Sequence, residues 1–504
     1  MAGWIADLFR FVWALFYWNG RKSYFRLRRG SRCPCQSASD SGRAYETHCE
    51  ACVMWAKPSR FRRVCPLLVE TPKGLRCSVD AADVRPFWTI VLRYCGTSLA
   101  VAYLIGTLAV FGGFRLIGYP VRYASVAWPR SWWQINAARA QYFLKKGADA
   151  LARNDFKEAL FSLSYAHELA PHDYNIGFSL ASLWQITQPA LSDRLYAQLL
   201  AEHPENNDLL ADSWNRALLA RSDYVQVKEL AAAQFRRSDP AHAGYWMNAL
   251  IFATRQTGDD LPLRRLLAGP GPLAPQWQRV VQAELLMRTG QERLAVAELS
   301  RVWAEATHPF VPFYQMRSLV ELRQARPALD LLEQYGSRVA DDERYAVRLD
   351  AFAQLGWDSL REGDVSLLLT PTPTGPIMEL LAAHLAKNPN PHLLDQVFAR
   401  LRVAPLAPVR ENYNALINLF CAAGIGGDYP KMHAMAQLLN ETNHSSPLTL
   451  AAFEDFFQGK PPPRHIEAFL PSLPMSLDMT YILLGRYSSG RVIQPRLSNP
   501  PGKS

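Results

Sequence analysis

The sequence predicts a mainly α-helical protein with a tandem array of helical hairpins, one transmembrane helix and a small cysteine-rich module near the N-terminus. Three observations predict this fold. Prolines recur about every 34 residues in the body, one run of 21 residues carries no charge, and six of the eight cysteines lie within residues 33–77 of the 504-residue chain. With 49% hydrophobic residues the chain is not a disordered tail, and with 8 Cys in 504 residues it is not a small disulfide scaffold.

Changes in composition divide the chain into six segments. The predicted order is an amphipathic interfacial helix at 1–19, a basic cysteine-rich module at 20–86, a transmembrane helix at 87–118, an aromatic juxtamembrane segment at 119–135, helical repeats at 136–457, and a proline-rich tail at 458–504. In the middle of the tail, the stretch MSLDMTYILLGRY is expected to dock as a last capping helix.

The net charge of +10 is concentrated in one segment. Residues 20–93 hold fifteen Lys and Arg against six Asp and Glu, which gives +9 and leaves +1 for the rest of the chain. A basic module can bind nucleic acid, but one that adjoins a membrane segment is better explained by anionic lipid headgroups. We therefore expect lipid contact through residues 1–32 and 87–135 and no nucleic-acid partner.

The uncharged run from Tyr94 to Phe114, bounded by Arg93 and Arg115, is long enough to cross a bilayer as a helix. Residues 1–19 contain two charges and are read as an interfacial helix, with a short first span as the alternative. Fifteen Lys and Arg favour the cytoplasmic side for the cysteine-rich module. The repeats would then be extracytoplasmic, as in a protein of the bacterial inner membrane.

The cysteines of the basic module have the spacing of a metal site. Pairs separated by one or two residues let one turn direct two thiolates at one ion, and two such turns complete a tetrahedral zinc site. Three disulfides are the alternative, favoured if the module is extracytoplasmic. The expected zinc ligands are Cys33, Cys35, Cys49 and Cys52, with Cys65 and Cys77 able to replace one pair or build a second site.

The end of this module predicts a β-hairpin. In RRVCPLLVETPKGLRCS two short apolar stretches flank a Pro-Lys-Gly turn and place Cys65 and Cys77 on opposite arms. The module therefore resembles the hairpin of a zinc ribbon or a treble clef. That resemblance implies bound zinc as its cofactor.

The stretch QYFLKKGADALARNDFKEALFSLSYAHELAP at 141–171 has the composition of two closely packed helices. It resembles the tetratricopeptide repeat family, with Phe143, Gly147, Ala150, Ala159, Leu163, Ala166 and Pro171 at the family's aromatic, small, small, small, large, small and terminal-proline positions. Small residues let the helices approach, and the proline ends the second helix. The resemblance covers about 136–457 with degenerate later repeats and implies a helical solenoid.

The repeat period supports this interpretation. Pro171, Pro204, Pro240, Pro275 and Pro309 are separated by 33, 36, 35 and 34 residues. A solenoid offers a concave surface to a partner protein or peptide. The resemblance places Gln141, Leu144, Ala148 and Leu151 on that surface, where their mainly apolar character favours a helix or an apolar peptide, unless the surface packs on the aromatic juxtamembrane segment.

The sequence contains no phosphate-binding loop, nucleophile elbow or HExxH metal motif, so we do not expect an enzyme. The leading hypothesis is a membrane-anchored scaffold or adaptor that mediates protein-protein interaction. One alternative is an assembly factor for cell-envelope polymers that binds glycan or peptide. Another reverses the topology, with a cytosolic adaptor and an extracellular disulfide module. Six tryptophans of the body could stack on glycan, although core packing is the simpler role: Trp184, Trp214, Trp246, Trp277, Trp303 and Trp357.

Overall fold

The computed structural model of the chain is mainly α-helical, as predicted. It forms two compact units, Met1–Tyr142 and Phe143–Ser504, and the boundary lies inside one helix. The residues that the structure describes are 16, 36–37, 46–47, 68–71, 74–77, 96–153, 155–237, 239–269, 273–370, 372, 374–407, 409–441, 447–471, 473 and 475–488.

Four short strands form two hairpins in the first unit. Strand β1 (Gln36–Ser37) pairs antiparallel with β2 (Glu46–Thr47), and β3 (Leu68–Thr71) pairs antiparallel with β4 (Gly74–Cys77). The register of the second pair places Leu68 opposite Cys77 and Thr71 opposite Gly74. Strands β3 and β4 lie within the stretch for which the sequence predicts a hairpin, and Cys77 ends the second arm.

The first unit also contains the long apolar helix. Helix α1 (Thr97–Ile117) has 21 residues and ends at Gly118, whose φ of 97° is a left-handed conformation that suits glycine. A short helix α2 (Tyr123–Ala127) follows, and then α3 (Trp133–Ala152), which continues into the second unit. Within the described residues, the stretch Leu99–Ile117 alone is long and apolar enough to cross a membrane.

The second unit consists of consecutive helices joined by turns and a few longer loops. After α3 these are α4 (Phe156–Leu169), α5 (Tyr174–Thr187), α6 (Pro189–Glu202), α7 (Asn207–Ala220), α8 (Tyr224–Arg237), α9 (Ala243–Thr257), α10 (Leu261–Ala268), α11 (Pro275–Arg288), α12 (Glu292–Leu299), α13 (Phe310–Glu321), α14 (Ala325–Tyr335), α15 (Asp341–Leu355), α16 (Asp358–Leu369), α17 (Gly375–Lys387), α18 (Pro391–Val403), α19 (Tyr413–Ile425), α20 (Tyr429–Glu441), α21 (Pro447–Phe457) and α22 (Leu477–Tyr487).

These helices pack in two layers. Most helices contact their neighbour in the chain, as α5 contacts α6 and α8 contacts α9. Odd-numbered helices also contact the next odd-numbered helix, as in α5 with α7, α11 with α13, α13 with α15, α15 with α17 and α17 with α19. Even-numbered helices do the same in α8 with α10 and α16 with α18. We call the odd-numbered helices α3–α21 the inner layer.

The periodic prolines lie where an even-numbered helix gives way to the next odd-numbered one. Pro171 follows α4, Pro204 and Pro240 begin single 3-10 turns before α7 and α9, Pro275 is the first residue of α11, and Pro309 precedes α13. Proline lacks the backbone N–H that a helix interior requires but is tolerated in the first turn. The sequence period therefore coincides with the helix-pair period of the structure.

The contact between α3 and α4 shows why small residues recur in the first pair. Ala150 and Ala159 are completely buried, and Leu163 is 1% exposed. A Cβ atom on Gly147 would lie only 2.8 Å from Cγ of Leu163. The two helices can be this close because Gly147 has no side chain.

Gly147→Ala should therefore destabilise the protein. Overpacking against Leu163 is expected to cost about 1–3 kcal/mol, which outweighs the better helix propensity of alanine. The control is Gly363→Ala in α16, where nothing lies within 4 Å of the added Cβ and a gain of about 0.5–1 kcal/mol is expected. Urea unfolding of the full chain in mild detergent measures both, and a higher midpoint for Gly147→Ala would contradict this packing.

Candidate functional site

The predicted zinc ligands are only partly within the described residues. Cys33, Cys35, Cys49, Cys52 and Cys65 lie outside them, and Cys77 is placed by its backbone in β4. Zinc binding therefore stays a prediction. In the described part of the chain, no group of three or more His, Cys, Asp or Glu side chains is arranged to hold a metal ion.

The inner layer of the second unit is strongly curved. Helices α9 and α13 touch each other although α11 lies between them in the layer. Arg255 of α9 donates to a carboxylate oxygen of Glu321 of α13 at 2.7 Å, and Arg317 of α13 donates to Asn248 of α9 at 2.9 Å. Two helices that skip a neighbour can meet only if the layer bends toward them.

The C-terminal helix α22 packs on this inner layer, where it contacts both α7 and α17. The ring of Tyr481 lies 4.3 Å from that of Phe252 in α9, measured between centroids. Met479, Leu483 and Leu484 of α22 are completely buried. The helix is thus part of the hydrophobic core of the second unit.

The lengths involved show that the layer closes round α22. Five steps separate α7 from α17 along the inner layer, which at about 9 Å per helix contact would span about 45 Å if flat. A helix of 11 residues is only about 16 Å long. Since α22 touches both α7 and α17, the helices between them must form an arc around it.

Polar contacts hold in place the residues that precede and follow α22. Ser222, in the turn between α7 and α8, donates to Glu467 at 2.8 Å and lies 3.1 Å from the hydroxyl of Ser488. Asn418 of α19 donates to the hydroxyl of Ser476 at 2.7 Å, and that hydroxyl also accepts from the backbone N–H of Met479. Ser476 therefore caps α22 and joins it to α19.

A chain of charged and polar side chains links the inner helices to one another. Arg255 of α9 donates from Nε and Nη2 to the two oxygens of Glu284 of α11, both at 2.7 Å. Glu284 also accepts from the hydroxyl of Tyr314 of α13 at 3.1 Å. Burial of Glu284 is acceptable because both of its oxygens are bonded to an ionised partner.

A second cluster joins α15, α16 and α17. Asp350 lies 2.6 Å from Nδ1 of His384 and 3.1 Å from Nζ of Lys387, and it accepts from Asn388 at 3.0 Å. Arg361 donates to Nε2 of His384 at 2.8 Å. Burial opposes ionisation of Asp350, but Lys387 and His384 hold the pKa of this carboxyl at about 2.

These bonds decide what His384 can do. Because Arg361 has no acceptor, it must donate to Nε2, so the proton of the neutral ring lies on Nδ1 and is donated to Asp350. Burial lowers the pKa of His384, which keeps the ring neutral. With both ring nitrogens engaged, His384 cannot act as a general base and instead joins the helices.

Other residues singled out in the sequence lie in packing or surface positions. Trp246, Trp277 and Trp303 are buried in the core, which confirms core packing for these three, while Trp357 is 37% exposed. Leu144 and Leu151 are half-buried, and Gln141 and Ala148 are exposed.

The glycine-rich stretch at 422–430 contains the end of α19 and the start of α20. Gly427 has a φ of 76°. The turn lines a cavity of about 300 Å³ together with Pro389 and Pro391. The one ionisable side chain of that lining, Asp428, is bound by Lys431, so this cavity offers little for ligand recognition.

The position of α22 is a structural feature that no sequence pattern indicates. Its apolar residues predict a helix with a buried face, but not which earlier helices that face contacts. Comparison of the chain with protein-family models found no matching family, and comparison with curated proteins found no matching relative. The class that the structure itself defines is a mainly helical, two-layered array that is closed round its own C-terminal helix.

Leu483→Ala should strongly destabilise the second unit. The deletion leaves a cavity between α22 and the inner layer and is expected to cost about 2–5 kcal/mol. Leu448→Ala is the matched control, because Leu448 of α21 is 82% exposed and its truncation should cost under about 0.5 kcal/mol. Urea unfolding of the full chain compares the two, and equal midpoints would show that α22 is not part of the core.

The ionisation of Asp350 should give the protein a specific loss of stability in acid. The pKa of Asp350 is about 2 in the folded protein, against 3.8 for an unperturbed aspartate. Its contribution of about 2 kcal/mol is therefore complete above pH 4 and is lost as the pH falls through 2. Asp350→Asn should lack this component, whereas Asp330→Asn at an exposed site should follow the wild type.

Urea unfolding between pH 6 and pH 3 measures this difference, since about half of the contribution is lost by pH 3. Identical pH dependence in the wild type and Asp350→Asn would contradict the ion-pair assignment. Loss of the wild-type pattern in Asp330→Asn would mean that the effect is not specific to this site.

Proposed function

We propose that the protein is a membrane-anchored scaffold whose helical array, similar to tetratricopeptide repeats, mediates interaction with a protein or peptide. The observation that carries this proposal is the two-layered stacking of helix pairs along the repeat period of the prolines. Arrays of this kind present extended surfaces and act by binding. The one buried histidine cluster described above is engaged in structural bonds, which fits a binding role better than catalysis.

The proposed anchor is α1, with large apolar side chains exposed along its length. Exposed apolar residues on so many sides of a 21-residue helix are typical of contact with lipid rather than with water. The basic cysteine-rich module, with zinc as its proposed cofactor, would lie across the membrane from the repeats, as its charge favours. Oligomeric state has no bearing on this proposal.

The proposed partner surface is the inner face of α3. Ala148 is exposed there, beside half-buried Leu144 and Leu151, so a partner helix or apolar peptide would find a small, largely uncharged surface. The farther inner helices are engaged by α22. A glycan-binding role is less favoured, because three of the tryptophans available for stacking are buried in the core.

Site-specific photo-crosslinking tests the scaffold role. A photoreactive residue at Ala148 of the full membrane-bound chain should trap one defined protein partner, and Ala148→Arg should reduce co-purification of that partner at least tenfold. The control position is Glu168, exposed on α4 in the other layer. Equal adducts from both positions, or none from Ala148, would contradict the proposed surface.

The sidedness of the two ends needs its own measurement. A membrane-impermeant thiol reagent is applied before and after reduction, and before and after permeabilisation. It should label the six cysteines within residues 33–77 only after the membrane is permeabilised, and this labelling should need no prior reduction. Labelling of intact cells after reduction would favour the reversed topology, with an extracellular disulfide module.

A further inference from the structure

The short helix α2 runs back along α1 instead of leading away from its end. The hydroxyl of Tyr103 donates to the backbone carbonyl of Ala127 at 2.5 Å, and Thr107 and Tyr123 join their hydroxyls at 3.1 Å. The last residue of α2 therefore lies beside Tyr103. That position is 14 residues, or about 21 Å, before the end of α1 at Ile117.

The first half of α3 then contacts α2 and the loop between α1 and α2. Ser125 donates to the side chain of Gln134 at 2.7 Å, and the rings of Tyr119 and Tyr142 meet edge to face with centroids 5.0 Å apart. Five residues of this region are buried: Thr107, Val121, Ser125, Val126 and Ala140. Helices α1, α2 and α3 thus form one cluster, in which α2 and the loop before it link α1 to α3.

The two outer sides of this cluster differ in chemistry. The side formed by α1 exposes large apolar residues, among them Leu99 at 70% and Ile105 at 63%. The side formed by α3 exposes Gln134 and Asn136. An upright α1 would draw these amides into the hydrocarbon at a cost of several kcal/mol each. The cluster instead suits an α1 that crosses the bilayer obliquely, with its apolar side toward lipid and α3 toward water.

Three indoles mark the border between these sides. In the turn from α2 to α3, which we call the indole turn (128–133), Trp128, Trp132 and Trp133 are 61%, 56% and 68% exposed. The N–H of Trp132 donates to the backbone carbonyl of Val126 at 3.1 Å, which fixes this ring at the surface. Tryptophan combines a large apolar ring with one polar group and is enriched where membrane meets water.

The charges nearby indicate which lipid would be bound. From residue 84 to residue 148 the sequence contains no Asp or Glu but eight Lys and Arg. Within the cluster these include Arg122 and Arg130, on either side of α2. Basic residues without acidic neighbours attract the negative surface of anionic lipids by about 1 kcal/mol each.

We propose that the indole turn inserts into the headgroup region of an anionic bilayer beside α1, so that α1, α2 and the start of α3 form one oblique membrane wedge. This inference rests on the proposed membrane attachment but goes beyond it, since attachment needs α1 alone. Continuity of the exposed indoles with the apolar side of α1 favours lipid over a protein occupant.

Quenching of tryptophan fluorescence by brominated lipids tests the wedge. The full chain is reconstituted in vesicles of phosphatidylcholine and phosphatidylglycerol, and its emission is compared with that of the triple variant Trp128→Phe, Trp132→Phe, Trp133→Phe. The difference between the two emission signals comes from the three tryptophans of the indole turn. We expect lipids brominated near the headgroup, at carbons 6 and 7, to quench this difference at least twofold more than lipids brominated at carbons 11 and 12.

The matched control is Trp357→Phe, which removes an exposed indole of the second unit. Its difference signal should be insensitive to both lipids. If the indole-turn signal is quenched by aqueous iodide and not by lipid, the turn lies in water and the inference is wrong. If neither quencher reaches it, a protein surface covers the turn, which overturns the inference as well.

A vesicle flotation assay separates this inference from the proposed function. Flotation of the full chain without lipid quenching of the indole turn would refute the wedge and leave membrane attachment intact. Failure of the full chain to float would refute the attachment itself. Tyr103→Phe with Thr107→Val should detach α2 from α1 and reduce lipid quenching of the turn, while flotation by α1 persists.

Discussion

The packing of α22 inside the arc of inner helices is the interaction on which the second unit depends. In an open helical array each pair contacts only its neighbours, so stability is a sum of local terms. Helix α22 instead joins α7 and α17, which are more than 150 residues apart in the chain. Because every helix between α7 and α17 must hold the curvature that this contact needs, the last helix restrains many earlier ones.

The charged side chains of the inner layer follow from the same curvature. Arg255 reaches Glu284 on the next inner helix and Glu321 on the one after it only because the layer bends. Such buried pairs add specificity more than net stability, since desolvation offsets much of their attraction. The pairs of Arg255 fix which inner helices meet. The bonds to Asp350 and Arg361 leave His384 without a free ring nitrogen. The polar side chains of the inner layer therefore serve to hold its helices together.

Local sequence patterns predicted a mainly helical chain and one apolar helix, because helix periodicity, proline positions and small residues act within a few turns of the chain. Gly147 packs against Leu163, and the apolar run forms α1. The return of α2 along α1 was not predictable in this way. It depends on hydroxyl contacts of Tyr103 and Thr107, which are ordinary residues until the turn brings partners to them.

The sequence by itself determined that the chain is mainly helical, that helix pairs recur with the period of the prolines, and that one helix is apolar enough for a membrane. These properties depend on backbone geometry and on neighbours close in the chain. Only the tertiary structure decided that the array closes round α22 and that α1 is one side of a cluster. Both outcomes depend on contacts between segments that are far apart in the chain. The free energy of these contacts depends on how well the two surfaces match in shape and polarity, and a local sequence pattern does not contain that information.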